Sequence, residues 1–149
     1  MQLLVARDLK VVKMKRILVL CTGNSCRSQM MHGYLSYFGK EAIEVRSAGI
    51  ETHGVNPNAI KYMGEDGVDI SDHTSNNISE YLDESFDYLV TVCDHANETC
   101  PVFPTTAKKI HYDFHDPSKV EGSEEAVAAA FRKTRDQIKA FSVGFLGAL

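Results

Sequence analysis

Cys21-Thr22-Gly23-Asn24-Ser25-Cys26-Arg27-Ser28 is the stretch from which the fold can be predicted. An apolar run precedes it and helical periodicity follows it, so we expect a strand, a loop and a helix in that order. Helix N-termini present unpaired N–H groups and a partial positive charge, which attract oxyanions. We call residues 21–28 the anion loop and predict that an oxyanion is bound there, by Thr22, Gly23, Asn24, Ser25, Cys26 and Arg27.

Cys21 stands at the mouth of the anion loop, where a positive field would stabilise a thiolate. In such settings a cysteine pKa falls from about 8.5 to roughly 3.5–7.5. Arg27 adds a planar fork of donors that suits a tetrahedral oxyanion. Ser28 can donate to the thiolate or cap the helix. The spacing Cys-x5-Arg therefore indicates a nucleophile beside an anion cradle, with a structural turn around a buried cysteine as the alternative.

Composition describes an ordinary globular chain. It has 149 residues, 44% hydrophobic and 24% charged, with a formal net charge of −4. One domain is expected at this length, and the charge implies no general attraction to nucleic acid or membrane. No apolar run approaches the ~20 residues of a membrane helix. We therefore expect a cytoplasmic protein, in which four cysteines indicate catalysis or metal binding rather than structural disulfides.

Residues 1–14 are predicted to be an N-terminal extension, possibly disordered, before a single domain over residues 15–149. Met14 directly precedes the first strand and could be the true start. An additional edge strand is the alternative for the same residues.

Apolar patterns alternate between strand and helix along the rest of the chain. Strands are predicted at 17–20, 43–48, 87–92 and 109–112, and helices after the anion loop, from Asn56-Pro57, around Ile78 and from Ser123. The helix after the loop has Met31, Tyr34, Leu35 and Phe38 on one face. Such alternation predicts an α/β three-layer sandwich: a four-stranded parallel sheet with helices on both faces. Ligands bind at the carboxyl ends of such strands, where Cys21, Cys93 and residues 113–117 fall.

Cys93 and Cys100 form a second candidate pair. If their segment is helical, the seven-residue spacing puts the Cα atoms about 10 Å apart, whereas a disulfide needs them within about 7 Å. Either the two never bond, or bonding is a switch that unwinds the segment. Zinc binding by the cysteines with His95 is a third interpretation.

Asp116, followed by Pro117, could serve as general acid at the active end of the sheet. An ordinary turn is the alternative, and Asp113 and His115 are competing candidates. The six histidines show no metal-ligand spacing, so most are expected to be solvated. No metal and no cofactor are predicted.

The chain resembles the arsenate reductases built on the low-molecular-weight tyrosine phosphatase fold. The resemblance covers residues 15–141 and rests on the anion loop with Gln29-Met30, Ser47-Ala48-Gly49-Ile50-Glu51, Gly54-Val55-Asn56-Pro57, Val68-Asp69-Ile70-Ser71, Val90-Thr91-Val92-Cys93, Cys100-Pro101 and Asp116-Pro117. It implies reduction of arsenate to arsenite and re-reduction by thioredoxin. It further implies that Cys21 is the nucleophile, Arg27 the oxyanion binder and Asp116 the acid, with Ser28 supporting the thiolate and Cys93 and Cys100 as second and third thiols.

Two departures from the family pattern bear on function. Members that bind potassium beside the loop use Asn24, Ser47 and two carboxylates, whose positions carry His32 and Asn76 here. The tyrosine phosphatases proper carry an aromatic residue where Ser118 stands, which disfavours phosphotyrosine as substrate. A phosphatase working through a phosphocysteine remains the alternative enzyme, and a module that binds arsenate or phosphate without turnover is the non-enzymatic one.

Overall fold

The computed structural model describes residues 14–94 and 101–149. Residues 1–13 of the predicted extension, His95 and Cys100 lie outside the described residues. The division into an extension and a single domain therefore stays a prediction.

Four strands and three α-helices make up the regular structure of the described ranges. In chain order they are β1 (Lys15–Leu20), α1 (Arg27–Gly39), β2 (Ile43–Ala48), α2 (Pro57–Glu65), β3 (Tyr88–Thr91), β4 (Lys108–His111) and α3 (Glu124–Gly147). The strands lie in the order β2-β1-β3-β4, and every pair is parallel. The predicted strands are thus found to within about two residues at their ends.

Local sequence explains where two helices begin. Asn56 caps α2, because its side-chain oxygen accepts from the N–H groups of Asn58 and Ala59, and Pro57 occupies the first turn. Ser123 caps α3 by accepting from the N–H of Ala126. These caps satisfy N–H groups that would otherwise lack acceptors at a helix start.

β1 lies inside the sheet and is buried on both faces from Ile17 onward. Its face toward α1, α2 and α3 carries Ile17 and Val19. Its opposite face packs with Phe86 and Phe103, which a 3₁₀ turn at Ile78–Tyr81 helps to cover. This arrangement confirms the predicted α/β class, with a four-stranded parallel sheet between two layers.

Some details differ from the expectations. Phe38 is 39% exposed and contacts Tyr34 and Tyr37, because the ends of α1 extend beyond the sheet. The helix expected around Ile78 is a single 3₁₀ turn. The apolar tail continues α3 as far as Gly147, and Phe145 and Leu146 pack against the core. Within the part of the chain that the structure describes, no helix is both long and apolar enough to cross a membrane.

Candidate active site

Five consecutive carbonyls of the anion loop accept hydrogen bonds, four from backbone N–H groups and one from a side-chain amide. The acceptors and donors are Thr22 O from Glu51 N (3.1 Å), Gly23 O from His53 N (3.1 Å), Asn24 O from Gln29 Nε2 (3.0 Å), Ser25 O from Asn56 N (2.9 Å) and Cys26 O from Met30 N (2.9 Å). A trans peptide directs its N–H opposite to its C=O. The N–H groups of residues 23–27 therefore point away from these donors, which is the arrangement an anion cradle requires.

Arg27 is the first residue of α1 and lies almost fully buried at the loop. Its Nη1 donates to Phe114 O at 3.2 Å, and its Nη2 lies 3.4 Å from Asp116 Oδ2. Both partners come from the chain after β4. Arg27 thus joins the anion loop to the segment that carries the candidate acid.

Asp116 begins a 3₁₀ turn at Pro117–Lys119 and is held within it. Its Oδ1 accepts from Ser118 N at 3.0 Å and from Ser118 Oγ at 2.6 Å. The competing Asp113 is mostly exposed and pairs with His111 instead. The structure therefore brings Asp116, and not Asp113, to the anion loop.

Asn24 and Ser28 are the two residues of the anion loop whose fully buried side chains contact each other. Asn24 adopts a left-handed conformation with φ of 47°, and its Nδ2 donates to Ser28 Oγ at 2.9 Å. Because the Ser28 oxygen accepts this bond, its own hydroxyl hydrogen is available to another acceptor. Support of the Cys21 thiolate by Ser28 stays a prediction.

Three of the four cysteines are buried thiols in the described residues: Cys21, Cys26 and Cys93. Burial raises the pKa of Cys26 well above its ordinary value, and the negative charges of Asp116 and Cys21 raise it further against the opposing effect of Arg27. Cys26 therefore carries a proton at neutral pH and is a poor nucleophile.

Cys93 lies two residues beyond β3, next to the residue that precedes Cys21. Its sulfur is 3.9 Å from Leu20 O, and it is fully buried. β1 and β3 are adjacent and in register, with Leu20 opposite Thr91. The sheet thus brings the second candidate thiol to the strand end that carries the first.

A cavity of about 600 Å³ opens at this edge of the sheet. The anion loop contributes Cys21, Thr22, Gly23, Ser25, Cys26 and Arg27, and the rim consists of Glu51, His53, Asp94, His115, Asp116, Ser118 and Lys119. Among the described residues, the rim carries both signs of charge and no Phe, Tyr or Trp side chain.

Several site residues were missed at the level of sequence. His53, Asp94 and Lys119 carried no spacing that sets them apart, and they reach the cavity only through the fold. Residues 71–77 look irregular in sequence, yet Ser75 Oγ donates to Gly23 O and Asn76 N donates to Asn24 Oδ1.

His32 and His73 are partly buried, whereas most histidines were expected to be solvated. That expectation holds for His53, His111 and His115 and is wrong for this pair. Burial lowers the pKa of His32 to about 3, with smaller contributions from the nearby charges of His73 and Arg46. His32 is therefore neutral at physiological pH.

At the positions that bind potassium in some members of the family, the residues of this chain do not fit that cation. His32 Nδ1 lies 2.8 Å from Ser47 Oγ, and Asn24 Oδ1 accepts from the N–H of Asn76. Potassium prefers oxygen ligands and negative charge, and a neutral imidazole offers neither. Across residues 14–94 and 101–149, no group of three His, Cys, Asp or Glu side chains could hold a metal ion.

Fold and site together place a buried cysteine and a buried arginine in one loop between a parallel strand and a helix, beside an open cavity. The chain belongs to the low molecular weight phosphotyrosine protein phosphatase family, whose model matches residues 16–149.

Relatives within the family carry a more specific name. An arsenate reductase of Halalkalibacterium halodurans is 49% identical over 124 residues, which are 83% of this chain and 89% of that protein. An arsenate reductase of Bacillus subtilis is 46% identical over the same shares. A solved arsenate reductase in the phosphate-binding state is 30% identical, with a TM-score of 0.75, and the match covers 91% of this chain and 98% of that one.

Proposed function

We propose that this protein reduces arsenate to arsenite in the cytoplasm, using Cys21, Cys93 and Cys100 in sequence. One observation carries the proposal. The anion loop, whose carbonyls are hydrogen-bonded by other segments, and a second buried thiol, Cys93, lie at the ends of neighbouring strands. A reducing compartment suits chemistry that needs several thiols. The identity to named arsenate reductases supports the same substrate.

The first step forms a bond between Cys21 sulfur and arsenic. The Cys21 thiolate attacks As(V), the bond from arsenic to one hydroxyl oxygen breaks, and that hydroxyl leaves as water after accepting a proton from Asp116. The loop N–H groups and the Arg27 guanidinium stabilise the charge on the remaining oxygens. Groups fixed in this way need no reorganisation during the reaction.

The second step transfers two electrons to arsenic. The Cys93 thiolate attacks the Cys21 sulfur, a Cys21–Cys93 disulfide forms, and the S–As bond breaks with its electron pair on arsenic. Arsenic becomes As(III) and leaves as arsenite, while two thiols become one disulfide. The exchange requires in-line attack on sulfur, and the Cys93 sulfur lies 3.9 Å from the carbonyl of Leu20, the residue directly before Cys21.

The third step regenerates Cys21. The Cys100 thiolate attacks Cys93 sulfur, which releases Cys21 as a thiolate and leaves a Cys93–Cys100 disulfide. A dithiol reductant of the thioredoxin class then reduces that disulfide. Pro101, directly after Cys100, lies at a shallow apolar groove with Val102, which is 87% exposed. A reductant protein can reach this side of the molecule.

A phosphatase is the second candidate, because the same loop and acid suffice to form and hydrolyse a phosphocysteine. The family membership favours at least a side activity of this kind. The described part of the rim has Ser118 and no Phe, Tyr or Trp side chain, which favours small phosphate monoesters over phosphotyrosine.

The deciding experiment adds arsenate to the full-length protein with thioredoxin, thioredoxin reductase and NADPH, and measures NADPH oxidation together with arsenite release. Hydrolysis of p-nitrophenyl phosphate is measured in parallel. We expect arsenite formation coupled to NADPH oxidation. Hydrolysis without any arsenite would show that the protein is a phosphatase. Phosphate binding without either activity would show that it is a binding module.

Two cysteine variants test the sequence of steps. Cys93→Ser should release no arsenite, whereas Cys100→Ser should release it once and then stall as a Cys21–Cys93 disulfide visible by mass spectrometry. Both should keep phosphatase activity, because that chemistry requires only Cys21, Arg27 and Asp116. Repeated turnover of Cys100→Ser with thioredoxin at the wild-type rate would contradict the three-thiol sequence.

A further inference from the structure

Two histidines form a cluster behind the anion loop and outside the cavity. His32 lies on α1 and His73 in the segment before Ile78–Tyr81, with ring centroids 4.4 Å apart. His32 Nδ1 is 2.8 Å from Ser47 Oγ near the end of β2. The chemical steps above use neither imidazole.

His73 reaches the loop through Gln29. Its Nδ1 lies 3.0 Å from Gln29 Oε1, and Gln29 Nε2 donates to Asn24 O at 3.0 Å and to Thr74 O at 2.9 Å. Carbonyl oxygens only accept, so the Gln29 nitrogen must face them and its oxygen must face His73. His73 Nδ1 is therefore the donor, which fixes how the ring is protonated and oriented.

The contacts end at Asn24. Its φ of 47° lies in the left-handed region, which asparagine adopts more readily than most non-glycine residues. Gln29 Nε2 donates to the carbonyl of Asn24, and Asn76 N donates to Asn24 Oδ1 at 2.8 Å. Asn24 Nδ2 in turn donates to Ser28 Oγ. The conformation of Asn24 sets the direction of the neighbouring N–H groups.

We propose that His32 and His73 are positioning residues that fix Asn24, and through it the anion loop, without a bound cation. The proposal rests on the anion loop being the binding site of the proposed function. Where potassium-binding members of the family carry a carboxylate, this chain has an imidazole in contact with Ser47 Oγ and tilted against the His73 ring. The cluster supplies its own hydrogen bonds and does not need an ion to complete it.

Three variants at one position test the assignment, with His111→Asn as a control because His111 lies outside the cavity. His32→Leu removes the Ser47 contact, His32→Asn can restore it through the side-chain amide, and His32→Glu introduces the carboxylate. For each we measure the dissociation constant of inorganic phosphate by calorimetry, KM and kcat for p-nitrophenyl phosphate, and Tm in sodium and in potassium chloride at equal ionic strength.

We expect His32→Leu to weaken phosphate binding and raise KM by about tenfold, the effect of one lost buried hydrogen bond, with a smaller change in kcat. His32→Asn should recover most of the affinity, and His111→Asn should match the wild type. Exchanging sodium for potassium should leave the wild type unchanged. In His32→Glu, potassium but not sodium should raise both Tm and phosphate affinity.

A several-fold potassium-specific rise in wild-type phosphate affinity would overturn the proposal, as would wild-type binding and KM in His32→Leu. If His32→Leu does not fold, the polar variants decide: equal affinity and no potassium response in His32→Glu would refute it. Failure of the proposed function has a different signature. In that case arsenate is not reduced, while phosphate binding still responds to the His32 variants as expected.

Discussion

The anion loop and the turn that carries Asp116 meet at one cavity but are held in different ways. The loop has hydrogen bonds at five consecutive carbonyls, with donors from three other segments of the chain. Asp116 is bonded mainly within its own turn, by Ser118, with Arg27 at 3.4 Å. The comparison teaches that the anion cradle is preorganised by the whole fold, whereas the acid is placed locally and close to solvent. Damage to the loop should therefore impair binding and chemistry together, and damage to the turn should impair chemistry alone.

Arg27→Ala should have the largest effect and tests the role of the anion loop. The buried oxyanion would lose its forked partner, and removal of one transition-state charge partner costs on the order of 3–4 kcal/mol, or 10²–10³ in rate. Arsenate reduction and phosphatase activity should both be lost, and phosphate binding should weaken in calorimetry. Turnover of Arg27→Ala near the wild-type rate would contradict the assignment of the loop.

Asp116→Asn tests whether the turn at Pro117–Lys119 supplies the general acid, with Asp113→Asn as its matched control. A missing general acid typically costs at least about 10² in rate, so kcat for p-nitrophenyl phosphate should fall by about that factor. Phosphate affinity should change little. Asp113→Asn should keep the wild-type kcat, and an equal loss in both variants would show that the wrong carboxylate has been assigned.

Gly49→Ala tests whether the loop depends on its backing. A Cβ at Gly49 would stand 2.5 Å from Thr22 O and 2.8 Å from Asn24 N, both backbone atoms that cannot move aside. Overpacking of this kind costs typically 1–3 kcal/mol, and we expect about 3 kcal/mol from denaturant unfolding, with weaker phosphate binding. Gly64→Ala in α2 meets nothing within 4 Å and should be neutral or stabilising by about 0.5–1 kcal/mol. Equal effects in the two variants would mean that Gly49 has no special role.

Mild acid should loosen the segments that hold the anion loop, through His32 and His73. The pKa of His32 is about 3 in the folded protein, below its ordinary value of 6.5, and that of His73 is also lowered, mainly by burial. The unfolded chain then binds more protons, so stability is full above pH 6.5 and declines as pH falls toward 3. His32 alone should remove about 2 kcal/mol between pH 7 and pH 5.

That pH window separates the histidines from the carboxylates. Arg132 and Arg135 lower the pKa of Glu65 to about 2, and the pKa of Asp69 is also lowered. Loss of their contribution belongs below about pH 4.5, where free carboxylates begin to take up protons. Unfolding of wild type and His32→Asn at both pH values measures the effect. The same pH slope in both proteins would contradict a role for His32.

Sequence predicted what depends on local pattern. The strand before Cys21, the Asn56-Pro57 helix start and the alternation of strands and helices all arise from neighbouring residues. The rule that ligand sites lie at the carboxyl ends of parallel strands then places Cys21, Cys93 and Asp116 at one edge of the sheet.

Sequence did not predict what depends on distant pairs of residues. The hydrogen bonds of Ser75 and Asn76 to the loop span 52 positions, and nothing within residues 71–77 indicates them. His32 was placed among mostly solvated histidines because the six show no metal-ligand spacing, and its contacts with Ser47 and His73 depend on residues distant in sequence. Phe38 fits the periodic pattern and is nevertheless exposed, because periodicity does not indicate where the core ends.

The five tied carbonyls of the anion loop also bear on how the chain folds. Their donors come from residues 29–30 and 51–56 and from Ser75, and Gln29 also donates to Thr74 O, so the cradle is complete only after these segments have docked. Contacts that are distant in sequence form late, since loop closure has to be overcome first. Binding of an anion by the loop therefore measures the fraction of completely folded protein. Phosphate that binds the folded state and not the unfolded chain should raise the free energy of unfolding.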